Sequence, residues 1–450
     1  MTDGEGFRIP HPLVLLTMCV LLAAAASYVL PAGEFDRRMD EATGRSVVVA
    51  GTYHEVERSP VDLFEAVIAL PIGMAERADV IFLIFMIGGA FMVVDESGTL
   101  RRTVSALVGA LKGRDLWVIP VVSIFFGLGG ITINMGEEIV ALVPVLLILT
   151  RRLGFTPLVA VAMSLGSAAV GSAFSPINPF GVLIAQSVAE VQPVSGWAFR
   201  TVVLVLAMVL WIGMTMRYAA GARVLASEAS GEPGESLTAR DLSVLGLIAA
   251  TFSTAIWGLL VLDWDFNRLS ASFFIMGVIA GLVSRMGFGG TADAYVRGFR
   301  EMAYAALLLG FAGAITVVLG QGRIIDTIVH GIFVPLESLP RLASALGMMV
   351  AQAAVHVPVP SNSGQAVLTM PVLVPVSDLL GLPRQVTILA YQYGGTLADL
   401  VTPTNGSLLA VLAAADVPYE AWLKYVVPLY AALIALSAVA IAVAIAIGLS

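Results

Sequence analysis

The chain has 450 residues, of which 58% are hydrophobic and 12% are charged, whereas a soluble domain carries about 25% charged residues. Its mean hydropathy is +0.92, and a water-soluble fold of this size could not bury that much apolar surface, so we expect a polytopic membrane protein. The net charge of −8, with no basic cluster longer than a pair, argues against nucleic-acid binding. One cysteine and four scattered histidines predict neither a disulfide framework, a transition-metal site nor a resident cofactor.

The first apolar run, residues 13–30, follows a short end that bears Arg8 and His11. A cleaved signal peptide is one interpretation, but a run of about 18 residues is long enough to cross a bilayer, and we predict a retained first span. A polar stretch, residues 31–60, comes next. Basic pairs separate the later apolar runs in a pattern that favours a cytoplasmic N-terminus.

Two parts of the chain resemble each other. Asn134-Met-Gly-Glu-Glu and Ser175-Pro-Ile-Asn-Pro recur in altered form as Asn362-Ser-Gly-Gln-Ala and Thr402-Pro-Thr-Asn-Gly. Matching residues keep one spacing along the chain: Pro144 with Pro371, Gly154 with Gly381, Pro176 with Pro403, and Asn178 with Asn405. This pattern predicts a duplication, with repeats at 1–225 and 243–450 joined by a polar cytoplasmic linker at 226–242.

Each repeat is expected to contain a re-entrant hairpin. The apolar arms 116–128 and 139–150 are too short to cross a hydrocarbon core of about 30 Å, and basic residues flank both outer ends. We therefore predict a hairpin at about 116–150 with its tip at 129–138. The repeat predicts a second hairpin at about 342–380, with its tip near 358–365 and the opposite orientation.

Each repeat is also expected to contain a broken helix, at about 155–190 and about 384–416, before a C-terminal span at about 425–448. Proline removes a backbone donor and clashes with the preceding turn, so the helices should break at the Pro-x-Asn sequences. Irregular backbone survives at membrane depth only where protein or a water-filled cavity covers it. Inverted repeats with broken helices are typical of secondary transporters.

The breaks and the hairpin tips supply neutral polar groups. Asn178, Asn405, Thr402 and Thr404 could offer hard oxygen ligands to Na⁺, or each Asn could simply satisfy backbone groups opened by its neighbouring proline. Small polar residues at the tips precede predicted helix N-termini, which attract carboxylates. The tip residues are Asn134, Gly136, Ser361, Asn362 and Ser363. Ordinary capping of the second hairpin arm is the alternative for the serines.

Acidic residues are the sharpest feature. Glu137 and Glu138 stand between apolar runs, where carboxylates are costly and are functional by default. They could bind a cationic amine or Na⁺, or carry a coupling proton; solvation at the cytoplasmic interface is the alternative. Asp399 lies in an apolar context and is a further candidate for cation coupling. His356 could titrate, or it could be a packing histidine.

The run from Val357 to Pro375, the run Arg384 to Gly394 and the Thr402-Pro-Thr-Asn-Gly sequence resemble the YfcC-like branch of the C4-dicarboxylate anaerobic carrier (DcuC) family, within the ion transporter superfamily. The resemblance implies a homodimer in which a scaffold domain holds a transport domain that moves as an elevator. The chain departs from the family pattern in one place: Gly395 stands where an acid is expected, and Asp399 stands where an Asn is expected.

These observations predict an all-α polytopic membrane protein and a secondary transporter, not an enzyme. Its substrate would be a small carboxylate-bearing solute, an amino acid or a C4-dicarboxylate, coupled to Na⁺ or H⁺. An amino-acid exchanger is the alternative, and a channel is less favoured. The expected partners are the solute, the coupling cation, the lipid bilayer and a second copy of the chain. We find no phosphate loop, nucleophile elbow or zinc-binding H-E-x-x-H sequence.

Overall fold

A computed structural model describes residues 11–40, 45–49, 51–100, 102–103, 106, 114–178, 180–223, 237–262, 264–333, 335–336 and 339–449. The polar residues 226–236 of the expected linker lie outside these ranges. The following helix already begins at Ala239, where Thr238 and Asp241 form a reciprocal cap that satisfies its first backbone amides.

The described chain is mainly helical. Its helices are α1 (Pro12–Val29), α2 (Leu63–Glu76), α3 (Ala78–Glu96), α4 (Val118–Ile133), α5 (Glu137–Arg152), α6 (Pro157–Ala173), α7 (Val182–Val188), α8 (Trp197–Gly221), α9 (Ala239–Val261), α10 (Phe266–Val283), α11 (Gly287–Gln321), α12 (Ile325–Phe333), α13 (Arg341–His356), α14 (Asn362–Leu379), α15 (Arg384–Tyr391), α16 (Gly406–Ala414) and α17 (Tyr419–Ala446). Short strands β1 (Gly33–Glu34), β2 (Arg37–Asp40), β3 (Arg45–Val48) and β4 (His54–Glu55) pair as β1–β4 and β2–β3, both antiparallel.

Six helices in the described chain are long and apolar enough to cross a membrane, or seven if the bent helix α11 is one span. These six are Pro12–Val29, Ala78–Glu96, Asp115–Thr132, Trp197–Gly221, Phe266–Val283 and Tyr419–Ala446. The third of them is the first arm of the first predicted hairpin, so the expectation that this arm is too short is wrong. The helix continues through Gly127 and Gly130. Because these residues have no side chain, the helix lies directly against the backbone of α6.

Both predicted tips are shorter than expected. The first hairpin turns over Asn134–Gly136 between α4 and α5, where Asn134 adopts a left-handed backbone conformation with φ of 54°. The second turns over residues 357–361, between α13 and α14.

The broken helices lie where the Pro-x-Asn sequences predict them. Helix α6 contains a π-helical segment at Ala162–Gly166 and ends at Ala173, and α7 begins at Val182. Helix α15 continues as a π-helical segment, Gln392–Thr396, and α16 begins after Asn405. A π segment shifts the helical register by one residue and is frequent at functional sites.

Helix α11 lies at the centre of the packing that positions the two tips. It contacts α2 and α3 along one side and α16 along another, while α5 packs on α3. In the second half, the π segment Gln392–Thr396 lies against α13, and Gly394 permits the contact because a Cβ there would overlap the carbonyl oxygen of Met349. The tips and breaks are therefore held by helices from both halves.

The polar stretch after α1 forms the strand pairs and docks on the end of α11 and on α12. Glu34 accepts a hydrogen bond from Arg323 at 2.7 Å, and Arg37 pairs with the buried Asp326 at 2.9 Å. Strand β3 also contacts α14, the second arm of the second hairpin. We call the described residues within 31–60 the strap, because they connect the first span to α12 and α14.

Candidate solute-binding site

The two hairpin tips and the second helix break meet at one cavity of about 480 Å³. Of the residues proposed from sequence, the structure brings the following to its wall: Asn134, Gly136, Glu137, Glu138, Ser361, Asn362, Ser363, Asp399, Thr404 and Asn405. Phe180 of the first break and Leu309, Gly313 and Thr316 of α11 complete much of the remaining wall. Asn178 and Thr402, both described, are buried and lie outside this lining.

Asn178 closes the first break instead of facing the cavity. Its amide donates to the carbonyl oxygen of Gly130 at 2.8 Å, and its side-chain oxygen accepts from the backbone amides of Phe180 and Gly181 at 2.9 and 3.0 Å. The side chain thereby satisfies a carbonyl group of α4 and two backbone amides that follow Asn178. This is the structural alternative considered for this residue, and a direct ligand role for Asn178 stays a prediction.

The first tip places two carboxylates at the start of α5. Glu138 Oε2 accepts a hydrogen bond from the backbone amide of Gly136 at 3.1 Å, so it turns back to cap the tip. Glu137 also lines the cavity. Ser172 of α6 donates to the side-chain oxygen of Asn134, which links the tip to the first broken helix.

The second tip reaches across to the first. Asn362 Nδ2 lies 3.3 Å from Asn134 Oδ1 and 3.2 Å from Asp399 Oδ2. Asn362 Oδ1 is buried and has no hydrogen-bond partner among the described residues. Ser361 caps α14 by accepting from the Gly364 amide at 3.2 Å, as the capping alternative predicts. Ser363, half-buried beside it, lines the cavity.

The second break centres on Asp399. Its Oδ1 accepts from Asn405 Nδ2 at 2.5 Å and lies 2.7 Å from His356 Nε2. Asn405 also caps α16, because its Oδ1 accepts from the Leu408 amide at 3.0 Å. Thr404 donates to the carbonyl oxygen of Val357 at 2.5 Å and so ties the break to the second tip. Asn405 and Thr404 thus form hydrogen bonds with backbone groups and also line the cavity.

The charge of the cavity wall is predominantly acidic. Glu137, Glu138, Asp265 and Asp399 contribute carboxyl groups, and Arg77 contributes the one guanidinium among the described lining residues. Asp265 caps α10 outside the membrane-spanning part of that helix, and the backbone amide of Arg268 holds its pKa below the ordinary range. This carboxyl is therefore ionised at neutral pH.

Sequence reasoning missed Arg77, Trp264, Asp265 and Thr316 as cavity residues. Arg77 separates α2 from α3, and Asp265 precedes α10, so both look like ordinary residues at a helix end. Only the fold shows that these ends face the hairpin tips. One signal was available for Arg77: it is the sole basic residue between the polar stretch and Arg101.

The sequence profile of the C4-dicarboxylate anaerobic carrier family, DcuC, matches residues 9–446, nearly the whole chain. The chain belongs to this family. Membership confirms the resemblance and, with the apolar helices, identifies a multi-pass membrane protein from a family of carriers.

Two proteins have sequences similar to that of this DcuC family member. YfcC of Escherichia coli (strain K12), whose name proposes that it is a basic amino acid antiporter, is 31% identical over 98% of each chain. A Haemophilus influenzae protein without an assigned function is 29% identical over 90% of this chain and 82% of its own length.

Two solved structures have low similarity to the chain. The Alcanivorax borkumensis YdaH transporter has a TM-score of 0.47 and 18% identity, covering 98% of this chain and 99% of its own. The Neisseria gonorrhoeae protein MtrF has a TM-score of 0.43 and 16% identity, covering 97% of this chain and 95% of its own.

Proposed function

We propose that this DcuC family member is a secondary carrier of a small amino acid with a cationic side chain. The observation that carries the proposal is the composition of the cavity wall, where four carboxyl groups face one guanidinium at the meeting point of both hairpin tips. A dianionic solute would meet net repulsion in such a site, whereas a solute with a positive side chain and an α-amine would be attracted. The name of the relative YfcC agrees with this choice.

The two ends of the solute would contact different elements. The α-carboxylate fits the N-terminus of α14, where Ser363 lines the cavity. The amine would be held by Glu137, with Glu138 restrained by the Gly136 amide. Asn362, which lines the cavity, would contribute to the same site. Asn134, Gly136 and Asn405 would form part of the wall of this site, and Asn178 would stabilise the first helix break beside it.

The coupling cation is H⁺ or Na⁺. For Na⁺, the proposed ligands are Glu137, Asn178, Asp399, Thr402, Thr404 and Asn405. Exchange of one amino acid for another is the alternative mode, and transport of a C4-dicarboxylate is the alternative substrate. The side-chain oxygens of Asn178 and Asn405 already accept hydrogen bonds from backbone amides, which leaves them less able to bind Na⁺ and favours H⁺.

The transport mechanism is proposed to follow the duplication. In each half a helical hairpin with a short tip is followed by a helix with a π segment, a break at Pro-x-Asn and a short helix. This repetition supports two repeats. Several finer features stay predictions: the opposite orientation of the repeats, the elevator motion of a transport domain against a scaffold, the homodimer, and the cytoplasmic N-terminus in a bacterial inner membrane.

A binding panel on the purified protein tests the substrate class. The thermal midpoint is measured in detergent with L-arginine, L-lysine, L-aspartate, succinate or dialanine, each in Na⁺ or choline. A solute that binds the folded state raises the midpoint by mass action, and we expect increases with L-arginine and L-lysine. Glu137→Gln should lose the increase, whereas Glu57→Gln, exposed on the strap, should keep it.

The other solutes and the two salts give the results that would change or contradict this proposal. An increase with succinate alone would move the assignment to a dicarboxylate. An increase that requires Na⁺ would identify Na⁺ as the coupling ion. No increase with any solute in either salt would contradict the proposed site.

A further inference from the structure

His356 is a fully buried histidine at the C-terminal end of α13, and it contacts a carboxylate on the cavity wall. Its Nε2 lies 2.7 Å from Asp399 Oδ1, and 20% of the Asp399 side chain is exposed. The pair therefore has one member sealed in protein and one in contact with the cavity. A helix C-terminus also favours a positive charge, because its free carbonyl groups point outward.

A chain of hydrogen bonds determines which ring nitrogen of His356 carries hydrogen. Gln365 Nε2 donates to the backbone carbonyl oxygen of Gln352 at 2.7 Å, and a carbonyl oxygen can only accept. The amide of Gln365 therefore presents its oxygen to His356, 2.9 Å from Nδ1. An oxygen facing a ring nitrogen at this distance requires that the nitrogen donate, so Nδ1 is protonated.

The rest of the chain agrees with this assignment. Gln352 Nε2 donates to Thr369 Oγ1 at 2.7 Å, and the Thr369 hydroxyl donates to the Gln365 carbonyl oxygen at 2.7 Å. Reversing either glutamine amide would place two donors or two acceptors face to face. All three side chains are buried, so such a mismatch would leave polar groups unsatisfied.

With Nδ1 protonated, the contact between Nε2 and Asp399 needs one more proton to be attractive. That proton can reside on Nε2, giving an imidazolium beside a carboxylate, or on Oδ1, giving a neutral pair. The amides of Asn405 and Asn362 both donate hydrogen bonds to Asp399 in addition to this contact. If the proton leaves through the cavity, a ring lone pair faces a carboxylate and the pair carries one negative charge.

The groups that face this pair are few. From α14 come Gln365 and Asn362, from α13 Gln352, and from the second break Asn405. Across the cavity lie the charged residues Glu137, Glu138, Asp265 and Arg77. None of the described residues in direct contact with the pair is itself ionisable, so the pair has a single proton to gain or lose.

We propose that His356 and Asp399 together bind one exchangeable proton, and that a cationic solute in the cavity displaces it. The site then alternates between a protonated, neutral pair and a negative pair that compensates the charge of the solute. The carrier would exchange H⁺ for the cationic amino acid. This inference rests on the proposed function for its second part, whereas the shared proton belongs to the protein without solute.

Histidine NMR tests the shared proton directly. The chain contains four histidines, so ring-¹⁵N labelling gives a short spectrum, and the signals of the others are assigned by His11→Gln, His54→Gln and His330→Gln. His356 is identified by exclusion, which avoids a variant that fails to fold. In solute-free protein we expect its Nδ1 to stay protonated from about pH 5 to about pH 9, a range that brackets ordinary histidine titration, while Nε2 loses its proton with rising pH.

A neutral His356 with hydrogen on Nε2 and none on Nδ1 would overturn the proposal. So would a ring that holds the same protonation state at both ends of that pH range. Asp399→Asn supplies a second reading, because a neutral amide removes the carboxylate that stabilises a proton on Nε2, so Nε2 should lose its proton at a lower pH than in wild type. The exposed Asp293→Asn is the matched control and should reproduce the wild-type titration.

Proton release on binding tests the displacement. L-Arginine is added to weakly buffered, detergent-purified protein that contains a pH-sensitive dye. Wild type and Asp293→Asn should release protons in proportion to bound arginine, and Asp399→Asn should lose most of this release. Binding with undiminished release from Asp399→Asn would overturn the displacement. Absence of arginine binding in wild type would instead reject the proposed function and leave the NMR result to decide the pair.

Discussion

Gly394 is the residue where a single methyl group should be least tolerated. It lies in the buried π segment after α15, and an added Cβ would overlap the Met349 carbonyl oxygen and lie 2.9 Å from Gln352 Cβ. Because the obstacle includes backbone, we expect Gly394→Ala to cost about 1–3 kcal/mol through overpacking. The thermal midpoint should fall by several degrees. Gly213→Ala, a helical position with nothing within 4 Å of the new Cβ, is the control, and an equal fall in both variants would contradict the argument.

At this scale the sequence identified ten of the residues that line the cavity. Adjacent glutamates, small polar residues before a helix and asparagines beside prolines are local patterns, and they led to Glu137, Ser363 and Asn405. The state of His356 could not be predicted, because its partners Gln365 and Asp399 are brought to it by other helices. Asn178 is the opposite case. The sequence suggests an ion ligand there, but in the fold its side chain forms hydrogen bonds with backbone groups.

Helix α16 depends on Asn405 in two separable ways. The side-chain oxygen caps the helix, and the amide nitrogen donates to Asp399 at 2.5 Å. Asn405→Ser keeps an oxygen for the cap and removes the donor, whereas Asn405→Ala removes both. We expect the alanine variant alone to lose about 0.5–2 kcal/mol of stability, and both variants to lose transport. A serine variant that transports at the wild-type rate would show that only the cap matters.

The strap should respond to acid through Glu34. Its hydrogen bond from Arg323 holds the pKa of Glu34 below the ordinary value. A carboxyl whose pKa is lowered by folding stabilises the protein above its unfolded pKa and loses that contribution as pH falls through the folded one. The thermal midpoint of Glu34→Gln should therefore lie below wild type at pH 7, and the gap should close on acidification.

This contribution should be less than about 1 kcal/mol, because the pair is partly exposed to solvent. Glu55→Gln, whose side chain is exposed on β4, provides the comparison. A gap between Glu34→Gln and wild type that is constant from pH 7 to about pH 3, a range that brackets ordinary glutamate titration, would contradict the role of the ion pair.

The sequence predicted the ends of helices well where proline or charged residues interrupt an apolar run. It predicted them less well where glycine interrupts the run. The breaks after Ala173 and before Gly406 follow the Pro-x-Asn sequences. The first tip, by contrast, contracted to Asn134–Gly136, since Gly130 remains helical where α4 meets α6. Composition alone cannot show whether a glycine ends a helix or allows a second helix to approach it. The strands of the strap were not expected, because a short polar stretch carries no strand periodicity.

For the whole molecule, composition alone predicted a membrane protein, and the repeated breaks predicted a carrier. The family match confirms membership of the DcuC family. What the linear pattern could not supply is the charge of the central cavity, since Arg77 and Asp265 come from helix ends distant in sequence from the tips. That charge is the basis for choosing a cationic amino acid over a dicarboxylate.

The most direct test is counterflow in proteoliposomes loaded with L-arginine, with radiolabelled L-arginine outside. Wild type and Glu57→Gln should accumulate label transiently, and Glu137→Gln should not, although it folds and inserts. Loading with succinate should support no exchange of label. Counterflow by Glu137→Gln at the wild-type rate, or exchange of label for internal succinate but not for internal arginine, would contradict a cationic amino acid bound between the hairpin tips.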